Sequence, residues 1–155
     1  MTDRTVSQAL ASFAADVRRD TLPDAVAASE REQILDTVGL CLGATPLETS
    51  GMALRVARAW GGPGESTVIG AAGRLPALGA GFVNGVLAHS LDFDDTHLPS
   101  VLHPSASIIP GVLAVAEETG ASRADAIAAA AVGYEVCVRT GMAAYDRSLG
   151  NSVFF

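Results

Sequence analysis

The sequence predicts an all-α domain. Hydrophobic residues make up 49% of the chain and aromatics only 5%, so the apolar content is carried by Ala, Val and Leu. Small side chains of this kind suit closely packed helices, whereas a β-sandwich draws on aromatic and β-branched residues. Apolar residues recur at helical spacing along most of the chain, and proline and glycine fall where helices would begin and end.

Taken in order, Val6, Leu10, Phe13 and Val17 mark a first helix. Pro23 and Asp24 suit the opening turn of a second, since proline is tolerated there and an acid favours the positive helix end. Val26, Ile34, Leu35, Val38 and Leu42 continue it. A third helix fits Met52 to Trp60 and is stopped by Gly61-Gly62-Pro63-Gly64. Ser66 to Ile69 is the one strand candidate. It reads either as a short strand paired with chain not present here or as extended loop.

Ala77 to Leu91 returns to helical spacing with Gly79, Gly81 and Gly85 inside it. Each glycine costs a helix up to about 1 kcal/mol relative to alanine, so their clustering predicts another helix or a ligand close to this backbone. Apolar residues on opposite sides predict a buried helix. Leu78, Phe82, Val86, His89 and Phe93 share one face of it, which predicts that His89 is a hydrogen-bonded core histidine. The next helix starts near His103-Pro104, Pro110 predicts a kink or break near Ile109, and Gly120 ends it. Ser122-x-x-Asp125 has the form of an N-terminal cap, opening an alanine-rich last helix to about Ala144. No repeat or linker divides residues 1–155, which read as a single helical domain. The closing Ser152-Val153-Phe154-Phe155 reads either as docking back on the core or as the start of further chain.

The 10 basic residues against 17 acidic ones give a net charge of -7, which argues against nucleic acid as a partner, because phosphate neutralisation needs clustered cations. Cys41 and Cys137 lie in apolar helical patterns and are expected as buried free thiols. The first ten residues lack the charged and apolar regions of a signal peptide. No uncharged apolar run reaches the roughly 18 residues of a membrane span. The expectation is a cytoplasmic protein that does not enter the membrane.

Chemistry concentrates between Asn84 and Ser107. All three histidines, His89, His97 and His103, fall there with Asp92, Asp94, Asp95 and Thr96. Such density between two apolar helices is costly unless the groups are solvated, paired or functional. Asp92 falls near a helix C-terminus, where an acid needs a compensating partner. Asp94, Asp95 and Thr96 are ordinary turn residues. His103 immediately precedes Pro104 at a helix start, where free backbone N–H groups point outward. With the hydroxyls of Ser105 and Ser107 nearby, this predicts a cradle for a substrate carboxylate and a histidine placed for proton transfer near neutral pH.

The runs NGVLAHSLDFDDTH, HPSASIIPGVLAVAEETGAS and GYEVCVR resemble the MmgE/PrpD family, the group that includes 2-methylcitrate dehydratase, cis-aconitate decarboxylase and iminodisuccinate epimerase. The similarity runs from about Val26 onward and is strongest from Phe82 to Arg139. The resemblance implies a helical domain that later chain completes in full-length relatives, joined there to a smaller α+β lid, with dimers common and no metal or organic cofactor required. It implies Asp92, Thr96 and His103 as catalytic positions. Asn84 and Asp95 stand as further substrate-binding candidates beside Ser105. The implied substrate is a small polycarboxylate and the implied chemistry acid/base proton transfer. Propionate metabolism, through 2-methylcitrate, is the setting this implies.

Charge sets a limit on that reading. No lysine or arginine lies between Arg74 and Arg123, and like charges about 4 Å apart repel by about 4 kcal/mol at an effective dielectric of about 20. The isolated chain is therefore expected to be catalytically weak, with a second copy or a partner chain supplying the missing part of the site. Three alternatives compete. One is a metal site made by the histidines and aspartates, although their spacing matches no compact ligand motif. Another is a non-catalytic helical interaction module, or one half of a split enzyme. The last, Gly79-x-Gly81-x-x-x-Gly85 as a dinucleotide loop, fails on spacing and on the lack of a surrounding βαβ unit.

Overall fold

The computed structural model describes residues 4–147. It contains helices α1 (Val6–Asp16), α2 (Asp24–Ala44), α3 (Glu48–Ala59), α4 (Ala77–His89), α5 (Pro104–Thr119) and α6 (Arg123–Arg147), with strands β1 (Ser66–Thr67) and β2 (Arg74–Leu75) between α3 and α4. The domain is mainly helical, as composition and spacing predict. The pair Phe154-Phe155 lies outside the described residues.

The local chemistry of the helix ends explains most boundaries. Thr5 and Gln8 form a reciprocal capping box at the start of α1. At the start of α6, Asp125 accepts from the backbone N–H and hydroxyl of Ser122, while Ser122 Oγ accepts from Asp125 N–H. These bonds, with the side-chain one foremost, hold the Asp125 carboxyl below its ordinary pKa. Gly120 ends α5 in the left-handed conformation at φ 66, where a residue with a Cβ would be strained. The strand candidate has its partner inside this chain: β1 pairs antiparallel with β2, Ser66 opposite Leu75.

Helix α4 is the centre of the packing. Its buried positions are Ala77, Gly79, Ala80, Val83, Asn84, Leu87 and Ala88, set against Cys41 and Ala44 of α2, Ala53 and Ala57 of α3, and Ala114 of α5. A Cβ at Gly85 would lie 3.1 Å from the Ala106 carbonyl oxygen, and one at Gly81 would lie 3.8 Å from Gly111 Cα. The close approach predicted for these glycines is thus made by α5. Pro110 has no N–H to give the Ala106 carbonyl one turn earlier, and Gly85 lets α4 rest against that same oxygen. Helix α5 runs unbroken from Pro104 to Thr119 with Pro110 inside it, so of the kink or break expected near Ile109 the break does not occur.

The buried face of α4 is not the one that the large residues of α4 and of the loop after it predict. Leu78 is 78% exposed, Phe93 77% and Phe82 40%, with Phe82 set against Trp60 at 5.2 Å between ring centroids. Mostly small residues take the interior, because three helices converge on α4 and Ala, Gly and Val let their backbones come near. Cys41 is fully buried and Cys137 only partly; both are free thiols. Burial raises the pKa of the Cys41 thiol to about 11, which leaves it an inert core group. Among the described residues no helix is long and apolar enough to cross a membrane.

Candidate active site

The site is built on the connection from α4 to α5. Helix α4 ends through Ser90, and Asp92 follows in the left-handed region at φ 54, its N–H donating to the His89 carbonyl at 3.0 Å. The chain then runs to His97, makes a 3-10 turn at Leu98–Ser100, and returns through Val101 at φ 53. A bridge closes this loop: His97 N–H donates to the Leu102 carbonyl at 2.9 Å, and His97 Nδ1 pairs with Ser100 Oγ at 2.8 Å. Because 97 and 102 are tied together, the residues flanking them meet. Thr96 Oγ1 lies 3.5 Å from His103 Nδ1.

Asp94 is the hub of this arrangement. Its side chain is fully buried, and both carboxylate oxygens lie 3.0 Å from His89 Nδ1. Asp94 Oδ1 is also 3.6 Å from His103 Nδ1. The two imidazoles meet edge-on at 5.2 Å between centroids. With Nδ1 of His103 turned towards Asp94 and Thr96, its Nε2 faces away from them and has no hydrogen-bonded protein partner among the described residues. A carboxylate behind one ring nitrogen fixes the tautomer and leaves the other free to exchange a proton.

Asp92 joins the same cluster. Ligand atoms of His89, Asp92, Asp94 and His103 all lie within 4.8 Å of one another, so these four residues are a group able to hold a cation among the described residues.

The neighbouring acid faces elsewhere. Asp95 Oδ1 accepts the Ser105 N–H at 2.9 Å, capping the first turn of α5 in place of His103, whose side chain makes no cap. Ser105 is 1% exposed. Its hydroxyl meets the Tyr134 hydroxyl of α6 and donates to Gln33 Oε1 of α2 at 3.4 Å. Glu30, one turn before Gln33, is 7% exposed and its Oε2 has no hydrogen-bond partner. Burial, followed by the negative charge of Asp95, raises the Glu30 pKa to about 7. Burial likewise pushes the Tyr134 hydroxyl up; hydrogen bonding to Ser105 opposes this, while Asp95 and Glu30 add to it.

The six residues singled out from sequence therefore separate. Asp92, Thr96 and His103 come together on an accessible surface. Asn84 does not join them: it is 2% exposed, its Oδ1 accepts from Ile69 N–H and its Nδ2 donates to the Thr67 carbonyl, both at 2.9 Å. Its amide is committed to holding the β1 segment on α4. Ser105 likewise has its N–H and hydroxyl occupied inside the protein. Asp95 serves as an internal cap of α5. His89 is 55% exposed at its side chain, a correction to the core histidine; its hydrogen-bonded neighbour is Asp94. Sequence reasoning read Asp94 only as a turn residue or an alternative metal ligand, and passed over Glu30 and Tyr134. The signal for Asp94 was its place five residues after His89; for Glu30 and Tyr134 the sequence carries none.

A family model described as the MmgE/PrpD N-terminal domain matches residues 8–155. The chain is 35% identical to human cis-aconitate decarboxylase over 115 residues, covering 74% of this chain and 24% of that protein. The mouse cis-aconitate decarboxylase is 32% identical over the same length, with 74% and 23% covered. The Aspergillus terreus cis-aconitate decarboxylase is 28% identical over 152 residues, with 95% and 31% covered. The chain thus spans between about a quarter and a third of the length of these relatives.

Proposed function

The chain belongs to the MmgE/PrpD family, and from that premise we propose that it supplies one wall of a proton-transfer site acting on a small polycarboxylate, in a lyase-type reaction. The observation that carries this reading is the buried Asp94 carboxylate set between His89 and His103, with the far nitrogen of His103 left free. Loss of carbon dioxide from an unsaturated tricarboxylate leaves electron density on carbon that must be protonated. Loss of water from a hydroxy-tricarboxylate needs a base at an acidic C–H and an acid at the departing hydroxyl. His103 suits either role, with Asp94 fixing its ring and Thr96 holding the same edge; Asp92 at the rim orients substrate or the histidine pair. The named relatives are decarboxylases, which favours decarboxylation of a cis-aconitate-like substrate. Dehydration of 2-methylcitrate is the second reading, supported by the residue types but by no named relative.

The sequence contains no lysine, and no arginine lies between Arg74 and Arg123. Aspartates dominate this wall, so a substrate with two or three carboxylates needs cations from elsewhere. A second copy or a partner chain is the proposed source, and the isolated chain is expected to turn over slowly.

The test is titration of the purified chain with cis-aconitate and with 2-methylcitrate, following the histidine ring resonances and product formation by NMR. Weak binding that moves the His103 ring, with only trace turnover, is expected. In a preparation that does turn over, His103→Gln should lower the rate by about 100-fold or more. Unchanged activity in that variant sinks the assignment to His103. Turnover by the chain alone at the rate of a full-length relative sinks the single-wall reading.

A further inference from the structure

Behind the accessible cluster lies a second polar group that the proposed chemistry does not use. It joins four elements: Glu30 and Gln33 from α2, Asp95 from the connecting loop, Ser105 from the first turn of α5, and Tyr134 from α6. The hydroxyls form a relay in which Tyr134 meets Ser105 and Ser105 donates to Gln33 Oε1. Asp95 closes the group by accepting the Ser105 N–H. Within it sits a carboxyl group with one oxygen that is buried and unpartnered.

We propose that Glu30 is a positioning residue for His103. Its buried carboxyl holds a proton that allows Asp95 to remain a carboxylate against the first turn of α5. Removing that proton puts two negative charges into one closed site, drives Asp95 away from the Ser105 N–H, and displaces His103, which is two residues before Ser105 and is the residue from which α5 starts.

The geometry favours this over a passive packing role. An ionised carboxylate with an oxygen out of reach of water and of any donor is strongly disfavoured, whereas a neutral carboxylic acid in the same place leaves a much weaker acceptor unpaired. The raised pKa of Glu30, near 7, agrees with a proton held under ordinary conditions. The groups that bear on Glu30 are few. Asp95 comes from the loop and Tyr134 from α6; Cys137, also on α6, has its thiol raised by burial and then by Asp95. Helix α5 contributes the uncharged Ser105 to this group, preceded by His103. The one titratable residue of α4 is His89, which is tied to Asp94.

The proposal rests on the reading of His103 as the proton-transfer group for its consequence, but its test requires no substrate. In the full chain, the Glu30 side-chain carboxyl, the Ser105 amide and the His103 ring are followed by NMR from about pH 5 to 9. The expected result is one shared inflection in all three signals as Glu30 ionises. In Glu30→Gln, which keeps the shape of the neutral acid, the Ser105 inflection is lost and its amide stays at the low-pH position, while His103 keeps its own titration. Glu30→Asp retains an acid and should retain the inflection. Should Glu30→Gln fail to fold, the wild-type curves decide the matter: a Glu30 transition with no counterpart at Ser105 overturns the proposal. So does a Ser105 inflection that persists in Glu30→Gln. Because activity does not enter, a failed assignment of His103 in turnover leaves this result readable by itself.

Discussion

Asp94 and Asp95 are adjacent in sequence and serve opposite environments. Asp94 turns to two exposed or half-buried histidines and has every oxygen paired. Asp95 turns inward to a closed group of Glu30, Gln33, Ser105 and Tyr134, where one carboxyl oxygen is orphaned. The first region is open, satisfied and placed to meet substrate. The second is buried at Glu30 and Ser105, is kept free of paired like charges by the proton on Glu30, and is placed to hold the first in position. One residue of shift along an irregular loop reverses a side chain's direction, so a run of acids of this kind divides its labour between surface and interior.

The largest effect that would break this contrast is on pH dependence. Glu30 has a folded pKa of about 7 against an ordinary value of 4.5, so the folded chain binds more protons than the unfolded chain between those limits. Stability is then greatest below about pH 4.5 as far as this group is concerned, declines as pH rises, and levels off above about 7. The full difference is on the order of 3 kcal/mol. Urea denaturation at several pH values should show the decline in the wild type and its loss in Glu30→Gln. A wild-type curve that is flat over this window would remove the distinction between the two acids' surroundings.

Next in size is a pair of truncations. Asp95→Ala leaves the buried Ser105 N–H without its acceptor and should cost about 1–2 kcal/mol, less whatever is regained from relief of Glu30. Asp94→Ala frees two histidines that water can reach and should cost under about 1 kcal/mol, while depressing any measurable turnover far more than stability. Equal stability losses from the two would mean that the regions are not energetically distinct.

A smaller effect sharpens the geometry of the open region. Val101 has φ 53, a conformation that costs a β-branched residue about 1–3 kcal/mol. Val101→Gly should therefore raise the thermal midpoint, with a gain of about 1 kcal/mol after the added freedom of glycine in the unfolded chain is counted. Loosening the 97–102 bridge would at the same time weaken the Thr96–His103 contact, seen as broadening of the His103 ring signals. The smallest expected effect is from chelation. If the four-residue cluster works as a proton network, prolonged EDTA dialysis leaves the melting temperature unchanged, and metal analysis finds no stoichiometric divalent cation. A fall of several degrees would instead favour the cation reading of His89, Asp92, Asp94 and His103.

Much of this was legible in the primary structure. The helices follow from apolar spacing, from Pro104 and Gly120 at the ends of α5, and from the Ser122–Asp125 cap, all of which are local. The glycines of α4 announced a close neighbour, and the run from Asp92 to His103 announced a site, because residue type and short-range order are enough for both. Which face of α4 is buried was not legible. Large residues at Leu78, Phe82 and Phe93 argue for one face, yet convergence of α2, α3 and α5 selects the small one. The roles of Asn84 and Ser105 were hidden for a related reason. Whether a polar group faces a ligand or the interior depends on partners 15 to 72 residues away in the chain, such as Ile69 for Asn84 and Gln33 for Ser105. Sequence alone determined the helical class and the segment that carries the chemistry, since both arise from interactions within a turn or two. Tertiary structure alone decided the division between Asp94 and Asp95 and the burial of Glu30, since these are set by which helices meet there, and desolvation has no signature in local order.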